Sequence, residues 1–411
     1  MMGVRQSRRG AAGRSVMVLL ALALVVAACG NGEEPVEDVV DDDPDVEEDL
    51  DEADDDVDDE AVEEDDEEEA APDDDFAEVS AGFVSAIDQI GLPAALDQGF
   101  FDEKGLDVNV ADPFATGVDM LNALESGEID FAQVGVPAIG AITSGMDLVL
   151  LGNYTGSASQ IGIDETMAMV AREGSDIDPD DLSTIEGKSI GVSVGSINHL
   201  YLLGMLEDLG LSEDDVDVVN TDPPDMPVAL ETDGIDAAVI WDPWPIVALN
   251  DVEGTYEVSR GDGYIAFIGY IVAEREFVEE NPDVVESFLS ARALADAWMR
   301  EHPDEAAATA TRWLPGTEEE VAEEAMQFNI EQLDPRISQC NYLALDDSQG
   351  RLLDIDAIDD TVDVDAVFEP DHILSVMDTY PEYFEDLPDI PEEAAIEAGY
   401  QYDAEDAQCP A

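Results

Sequence analysis

The sequence is poor in basic residues. It has 14 Lys plus Arg against 103 Asp plus Glu in 411 residues, a formal net charge of -89. Nucleic-acid binding is excluded, because neutralising phosphate groups requires clustered lysine and arginine. Lysine is almost absent, since the chain has only Lys104 and Lys188. Acidic residues in place of lysine are typical of halophilic proteins from salt-rich habitats, and an alkaline habitat is the alternative explanation.

Cysteine and catalytic motifs are also scarce. Three cysteines rule out a disulfide-dense scaffold. In an oxidising compartment Cys340 and Cys409 could pair and fix the carboxyl-terminal tail, or they could stay as two free thiols. The chain contains no Ser-His-Asp order, no H-E-x-x-H motif, no P-loop and no calcium loop of the D-x-[DN]-x-[DN]-G type. The sequence therefore predicts no enzyme, no metal site and no cofactor.

Long hydrophobic runs are limited to one near the amino terminus. Residues 16–28 are 13 consecutive apolar residues behind a segment with four arginines. A bilayer span needs about 20 residues, so this run has the length of a signal-peptide core instead. It ends in VAACG (26–30), which resembles the lipobox of bacterial and archaeal lipoproteins. The resemblance implies a signal peptide at 1–28 and lipidation of Cys29, with export by either the Sec or the twin-arginine route.

An acidic segment follows the signal peptide. Residues 33–75 contain 29 acidic residues and no basic one. A chain with so much like charge and so few apolar residues cannot collapse against its own repulsion. We therefore interpret 29–75 as an extended, disordered tether.

The pattern changes at residue 76, where short apolar strands begin to alternate with helices of about ten residues. This alternation is typical of βαβ units and a mostly parallel sheet. The remaining 336 residues exceed the size at which one core usually divides, which favours two lobes. Strands are predicted at 77–84, 106–111, 129–135, 147–154, 188–194, 216–220 and 235–241. Helices are predicted at 90–100, 118–127, 137–144, 196–210, 225–232, 275–301, 303–312 and 317–332.

Two segments of this part resemble each other. LESGEIDFAQVG (124–135) and LETDGIDAAVIW (230–241) both place a turn with Gly before Ile-Asp and an apolar strand. In open α/β sheets ligands bind beyond the carboxyl ends of strands, next to helix amino termini. Two lobes that each present such an edge would form a cleft.

The chain also resembles a known family over about residues 82–302. The segments that carry this resemblance are GLPAALDQGFFDEKGLDVNV (91–110), MLNALESGEIDFAQVG (120–135), IEGKSIGVSVGSINHLYLLGMLEDLGL (185–211) and GIDAAVIWDPW (234–244). They resemble the substrate-binding lipoproteins of ABC importers in the nitrate, sulfonate, taurine and thiamine-precursor group.

That resemblance implies an α/β, two-lobed periplasmic-binding-protein-like fold (type II). Each lobe would be a mostly parallel sheet flanked by helices, and two crossover strands would join the lobes. Lobe one would comprise 76–168 and 263–411, the latter with a helical carboxyl-terminal extension. Lobe two would comprise 169–262.

Candidate ligand-binding residues lie at turns that follow predicted strands. Ser196 opens a helix whose dipole favours negative charge, although a simple helix cap would explain it equally. Trp241 could wall a pocket. The full set is Ser85, Gln89, Thr116, Gly117, Gly135, Ser193, Ser196, His199, Trp241 and Asp242.

The charges near these turns bear on the ligand. Asp242 could bind an ammonium, amide or hydroxyl group, or it could cap the next helix. In taurine-like members of the family, the resemblance implies that the matching Asp recognises an amino group, and Asp88 points in the same direction. Basic residues are missing, so a bound anion would depend on N–H and hydroxyl donors.

The predicted function is capture of a small polar or anionic organic solute, sulfonate-like, taurine-like or nitrate-like, for an ABC importer. The implied partners are that solute, an ABC permease with its ATPase, and the membrane through a lipid anchor. The protein would be a monomer on the outer face of the cell membrane. A surface sensor or adhesion protein of the same fold is the alternative, ahead of a thiamine-precursor-binding protein or an enzyme. The sequence does not identify the solute.

Overall fold

A computed structural model of the protein describes residues 76–161 and 163–410. The predicted signal peptide, Cys29 and the acidic tether lie outside these described residues. Across the described ranges, no helix is both long and apolar enough to cross a bilayer.

Ten strands form two five-stranded sheets. The strands are β1 (Ala77–Gly82), β2 (Leu106–Val110), β3 (Phe131–Val134), β4 (Leu148–Thr155), β5 (Met167–Ala171), β6 (Ser189–Val192), β7 (Asp217–Asn220), β8 (Ala237–Trp241), β9 (Tyr256–Arg260) and β10 (Gly269–Glu274). The first sheet has the order β2-β1-β3-β10-β4, and the second has the order β7-β6-β8-β5-β9. We call the first sheet with its helices lobe one, and the second sheet with its helices lobe two.

Helices cover both sheets. They are α1 (Gly91–Asp97), α2 (Phe100–Glu103), α3 (Gly117–Glu125), α4 (Pro137–Thr143), α5 (Ile197–Asp208), α6 (Met226–Glu231), α7 (Trp244–Asp251), α8 (Arg275–Glu280), α9 (Pro282–Glu301), α10 (Pro303–Trp313), α11 (Glu319–Asn329), α12 (Gln339–Asp354), α13 (Val364–Val367) and α14 (Asp371–Thr379). Because helices lie on both faces, the edge strand β4 and the central strand β8 are both buried along their whole length and carry near-continuous apolar runs.

The two sheets share one topology, and the prediction of mostly parallel sheets is confirmed. In each sheet a single strand runs antiparallel to its neighbours, β10 in lobe one and β5 in lobe two. Each of these strands is the first to follow a passage of the chain between the lobes. The passages are residues 156–166 and 261–268. The boundary predicted at 168/169 falls inside β5, whose residues pair with β8 and β9 from Met167 onward.

One predicted helix is divided in the structure. The helix expected at 275–301 is broken at Asn281, where α8 ends and Pro282 begins α9. Proline has no N–H and disfavours helical geometry in the residue before it, but it fits the first position of a new helix. The apolar pattern continues across the break, which is why the sequence predicted one helix.

The carboxyl-terminal extension packs against both lobes and the first passage. Helix α12 lies against α5, which explains why α5 is buried on nearly all sides. Cys340 on α12 forms a disulfide with Cys409. Beyond it, the Pro410 carbonyl accepts a hydrogen bond from the Ile161 N–H at 3.0 Å. The tail is therefore fixed to the segment that connects the lobes.

Candidate ligand-binding cleft

A cavity lies between the two lobes, at the carboxyl ends of strands from both sheets. It contains about 400 Å³ of empty space, part of it continuous with solvent. The part of this space that a water molecule can occupy is only about 30 Å³, room for about two waters, so a bound solute requires the lobes to move further apart than they are here. The lining residues are Val84, Ala86, Asp88, Gln89, Gly117, Val134, Gly135, Val136, Pro137, Tyr154, Ser196, Ile197, Trp241, Phe267 and Ile268. We call this space the interlobe cavity.

The wall from lobe one is fixed by hydrogen bonds of the turn after β1. The Gln89 side-chain oxygen accepts a bond from the Val84 N–H at 2.6 Å, and its amide nitrogen donates to the Tyr154 hydroxyl at 3.0 Å. Because the oxygen and the nitrogen of the Gln89 side-chain amide both have partners within the protein, this residue positions the cavity wall and has little capacity left to bond a ligand. The Tyr154 hydroxyl accepts that bond, so its own hydrogen is available to a ligand.

A second layer of buried polar groups supports this wall from behind. The Gln133 amide nitrogen donates to the Gln89 carbonyl at 2.8 Å, and Arg292 Nε donates to the Gln133 oxygen at 3.0 Å. Arg292 lies 3.1 Å from Asp296, and both side chains are fully buried. The chain of contacts therefore ties the cavity wall to the long helix α9.

Small residues let the backbone approach the cavity where two strands turn into helices. Gly135 follows β3, and a Cβ atom there would lie 2.5 Å from the carbonyl oxygen of Ile268. Gly117 opens α3 beside it, while Thr116 caps that helix by accepting a bond from the Asp119 N–H. Any side chain at Gly135 would push the second interlobe passage away from the cavity.

Lobe two contributes the amino terminus of α5. Gly195 has φ +78°, a conformation that glycine adopts without strain, and Ser196 then begins the helix. The Ser196 side chain makes no capping bond, although it is only 9% exposed and lines the cavity. Helix amino termini attract anions and polar acceptors. The uncommitted hydroxyl and the helix end therefore form a polar patch on this side.

Asp88 is the charged residue of the cavity lining. It is 5% exposed and makes no salt bridge with the basic residues that the structure describes. Burial raises its pKa to about 7, because the charged form loses its hydration. The sequence placed Ser85 and Gln89 of the same turn among the candidate residues, and it used Asp88 only as an argument against a purely anionic ligand.

Asp242, predicted to bind an amino group, has a different partner. Both of its carboxylate oxygens accept bonds from Arg260 Nη1, at 3.2 and 3.0 Å. Burial raises the pKa of Asp242 to about 7 even against the attraction of that guanidinium. Its side chain is not part of the cavity lining, and its carbonyl accepts a bond from the Ile87 N–H at 3.1 Å. The residue thus contributes to contact between the lobes.

Four other predicted residues are not part of the cavity lining, and the side chains of three of them are bonded elsewhere. The Ser85 carbonyl accepts a bond from Trp244 Nε1 at 2.9 Å, and the Ser193 hydroxyl donates to the Thr221 carbonyl at 3.3 Å. His199 Nδ1 accepts the Gly195 N–H at 3.2 Å, and its Nε2 lies 3.3 Å from Glu213. Thr116 caps its helix. Gln89, Gly117, Gly135, Ser196 and Trp241 are the predicted residues that the structure brings together on the cavity.

Some residues that line the cavity were not predicted from the sequence as ligand-binding candidates. Tyr154 ends β4 at the same sheet edge as the predicted turns, so a search for polar residues at every strand end would have found it. Phe267 and Ile268 belong to the second passage, which shows no periodic pattern. They reach the cavity only because the chain returns to lobe one there.

The chain has recognisable relatives among known proteins. The NMT1/THI5 like family model matches residues 86–306, more than half of the chain. The chain belongs to the NMT1/THI5-like family. The resemblance predicted from the sequence is thereby confirmed at the level of the family.

Two curated relatives illustrate the match. A Brucella abortus (strain 2308) protein named as a binding protein is 26% identical over 223 residues, which cover 54% of this chain and 66% of that protein. A Bacillus subtilis (strain 168) protein named as an aliphatic sulfonates-binding protein is 28% identical over 283 residues, which cover 68% of this chain and 81% of that protein. Both names describe binding proteins, which agrees with the prediction that the chain is not an enzyme.

A solved structure shares the fold. The alkanesulfonate-binding protein from Xanthomonas axonopodis pv. citri, bound to MOPS, aligns with TM-score 0.63 and 20% identity. The alignment covers 72% of this chain and 98% of that one. The predicted two-lobed fold is confirmed by this likeness.

Proposed function

We propose that the protein is an extracytoplasmic solute-binding lipoprotein. It captures a small polar or anionic organic solute, such as a sulfonate, and delivers it to an ABC permease and its ATPase. The observation that carries this proposal is the interlobe cavity, a small space between two lobes with polar groups on both sides. The names of the matched relatives support the same function.

Binding would work by closure of the two lobes on the solute. The lobes touch next to the cavity, where Trp244 Nε1 donates to the Ser85 carbonyl and the Ile87 N–H donates to the Asp242 carbonyl. A solute between Tyr154 and Ser196 would contact both lobes only after they have closed around it. Such a solute stabilises the closed form by its differential affinity, and the importer would recognise that form.

A thermal-shift screen tests this function. The chain from residue 76 onward is heated with alkanesulfonates, 2-aminoethanesulfonate, nitrate, amino acids and pyrimidines in separate wells. A solute at 100 times its Kd stabilises the folded state by about 2.7 kcal/mol, which raises the melting temperature measurably. We expect at least one compound of the panel to do so.

A cavity-filling variant shows whether the solute binds where we propose. Ser196→Trp places an indole in the cavity and should abolish the shift. Ser126→Trp changes an exposed serine at the end of α3 and should keep it. If no compound stabilises the protein, or if Ser196→Trp retains the full shift, solute capture in this cavity is refuted. The first of these results would favour a surface sensor or adhesion protein.

A further inference from the structure

The interlobe cavity has an unusual charge arrangement for a site that binds anions. Asp88 is 95% buried on its wall, because its exposed fraction is 5%. A buried carboxylate without a partner is costly unless a cation or several donors approach it. Two ionisable groups from other elements face Asp88, the Tyr154 hydroxyl on β4 and the carboxylate of Asp242, which follows β8. Asp242 forms a salt bridge with Arg260 on β9.

Within residues 76–161 and 163–410, no lysine or arginine lines this cavity to balance the charge of a bound anion. Residues 76–411 carry 74 acidic and ten basic residues. Each of the eight arginines in this part lies within salt-bridge distance of a carboxylate, and the cavity lining includes neither arginine nor lysine. A purely anionic solute would meet Asp88 and the negative field of the whole chain without a compensating charge.

The remaining walls suit a molecule with two different ends. Tyr154, Trp241 and Phe267 line the cavity, and aromatic faces attract ammonium groups. On the side of lobe two, the uncommitted and nine-tenths buried Ser196 hydroxyl at the start of the 12-residue helix α5 suits a negative or strongly polar end.

We propose that the solute is a small zwitterion whose ammonium group binds Asp88 and whose anionic end lies at Ser196. The inference rests on the proposed function and names its substrate class. It also transfers the role expected of Asp242 to Asp88, because Arg260 already neutralises Asp242. A solute with negative charge alone is bound weakly.

Calorimetric titration with matched pairs of compounds tests this selectivity. The probes are 2-aminoethanesulfonate with ethanesulfonate, and 3-aminopropanoate with propanoate. We expect at least one aminated compound to bind ten or more times tighter than its amine-free partner. Asp88→Asn, a neutral side chain of the same shape, should abolish most of that difference. The N,N,N-trimethyl form of the aminated compound then separates recognition by hydrogen bonds from recognition by the aromatic walls.

The possible results distinguish failure of this inference from failure of the proposed function on which it rests. If an amine-free compound binds as tightly as its aminated partner, or if neither aminated compound binds, the inference is overturned. The proposed function survives either result as long as some member of the wider panel binds. If Asp88→Asn keeps the full preference for the amine, Asp88 is not the recognising group and the inference is overturned as well.

The pH dependence of binding gives a second readout. In the empty protein Asp88 takes up a proton near pH 7, whereas an ammonium ligand needs the charged carboxylate. The affinity for the aminated compound should therefore be highest near pH 8, where the carboxylate and the ammonium group are both charged, and fall on acidification, by about 30-fold at pH 5.5. Asp88→Asn should lose most of this dependence. Affinity that rises on acidification would indicate recognition of the anionic end alone and would contradict the proposal.

Discussion

Replacing Asp88 with asparagine should stabilise the empty protein while it weakens the site. The pKa of this carboxyl is raised from 3.8 to about 7 by burial. A carboxyl with a raised folded-state pKa destabilises the protein at every pH above its unfolded value. The penalty is absent below pH 3.8, grows as the pH rises to 7 and is constant above that.

The size of the expected stabilisation follows from the shift in the pKa of Asp88. About three pKa units at 1.36 kcal/mol each give an upper limit of about 4 kcal/mol. Residual hydration of the cavity reduces it, so we expect Asp88→Asn to raise the free energy of unfolding by about 2–4 kcal/mol at pH 8. At pH 5 the gain should be less than half of that, because the penalty has only begun to accumulate. Binding sites often carry such a cost in stability.

Urea denaturation of the solute-free chain in 2 M KCl measures the change in the free energy of unfolding at pH 8 and at pH 5. The matched control is Asp107→Asn, which removes a carboxylate from an exposed position on β2 and should change stability by no more than about 0.5 kcal/mol. The reasoning is refuted if Asp88→Asn is neutral or destabilising at pH 8, or if its gain is as large at pH 5 as at pH 8.

Three further predictions follow from the composition and the cysteines. The melting temperature should rise strongly between 0.05 and 2 M KCl, because salt screens the repulsion among the acidic residues; a flat response in a thermal scan would contradict this. The chain from residue 76 should show no free thiol when denatured without reductant, and Cys340→Ser with Cys409→Ser should cost up to about 4 kcal/mol in a urea titration, whereas two reactive thiols would exclude the disulfide. Cys29→Ser should release the protein into the medium or leave it unprocessed, and a correctly cleaved, membrane-bound variant on a fractionation blot would exclude lipidation.

Strong local patterns were sufficient to predict the parallel strands. β2 and β7 agree with the predicted ranges to within one residue at each end, because each is a short valine-containing segment bounded by turn residues. β9 and β10 were not predicted, and neither was α7. These elements carry weaker patterns and are defined by pairing with distant strands or by packing between them. The carboxyl-terminal extension was predicted to be helical, but the bounds of α12, α13 and α14 were not predicted, for the same reason.

The lining of the interlobe cavity was predicted in part, and the candidates that lie away from it do so for one physical reason. Ser196 and Gly135 follow parallel strands, and the carboxyl edge of a parallel sheet is where such residues converge. Asp242 has the same sequence signal, but its ionic partner Arg260 comes from β9, which had not been predicted. His199 likewise faces Glu213 from a separate turn. We propose that Asp88 binds the ammonium group of the solute because tertiary contacts bury its carboxylate in the cavity. Such burial cannot be deduced from the residues near Asp88 in the sequence.

A crystal structure of the chain with its solute tests the central claim most directly. The compound that stabilises the protein most in the screen is added at saturating concentration before crystallisation. We predict electron density for it in the interlobe cavity, in contact with Asp88 on one side and Ser196 on the other. Density for the compound at another place, with the interlobe cavity filled only by water, would contradict the account.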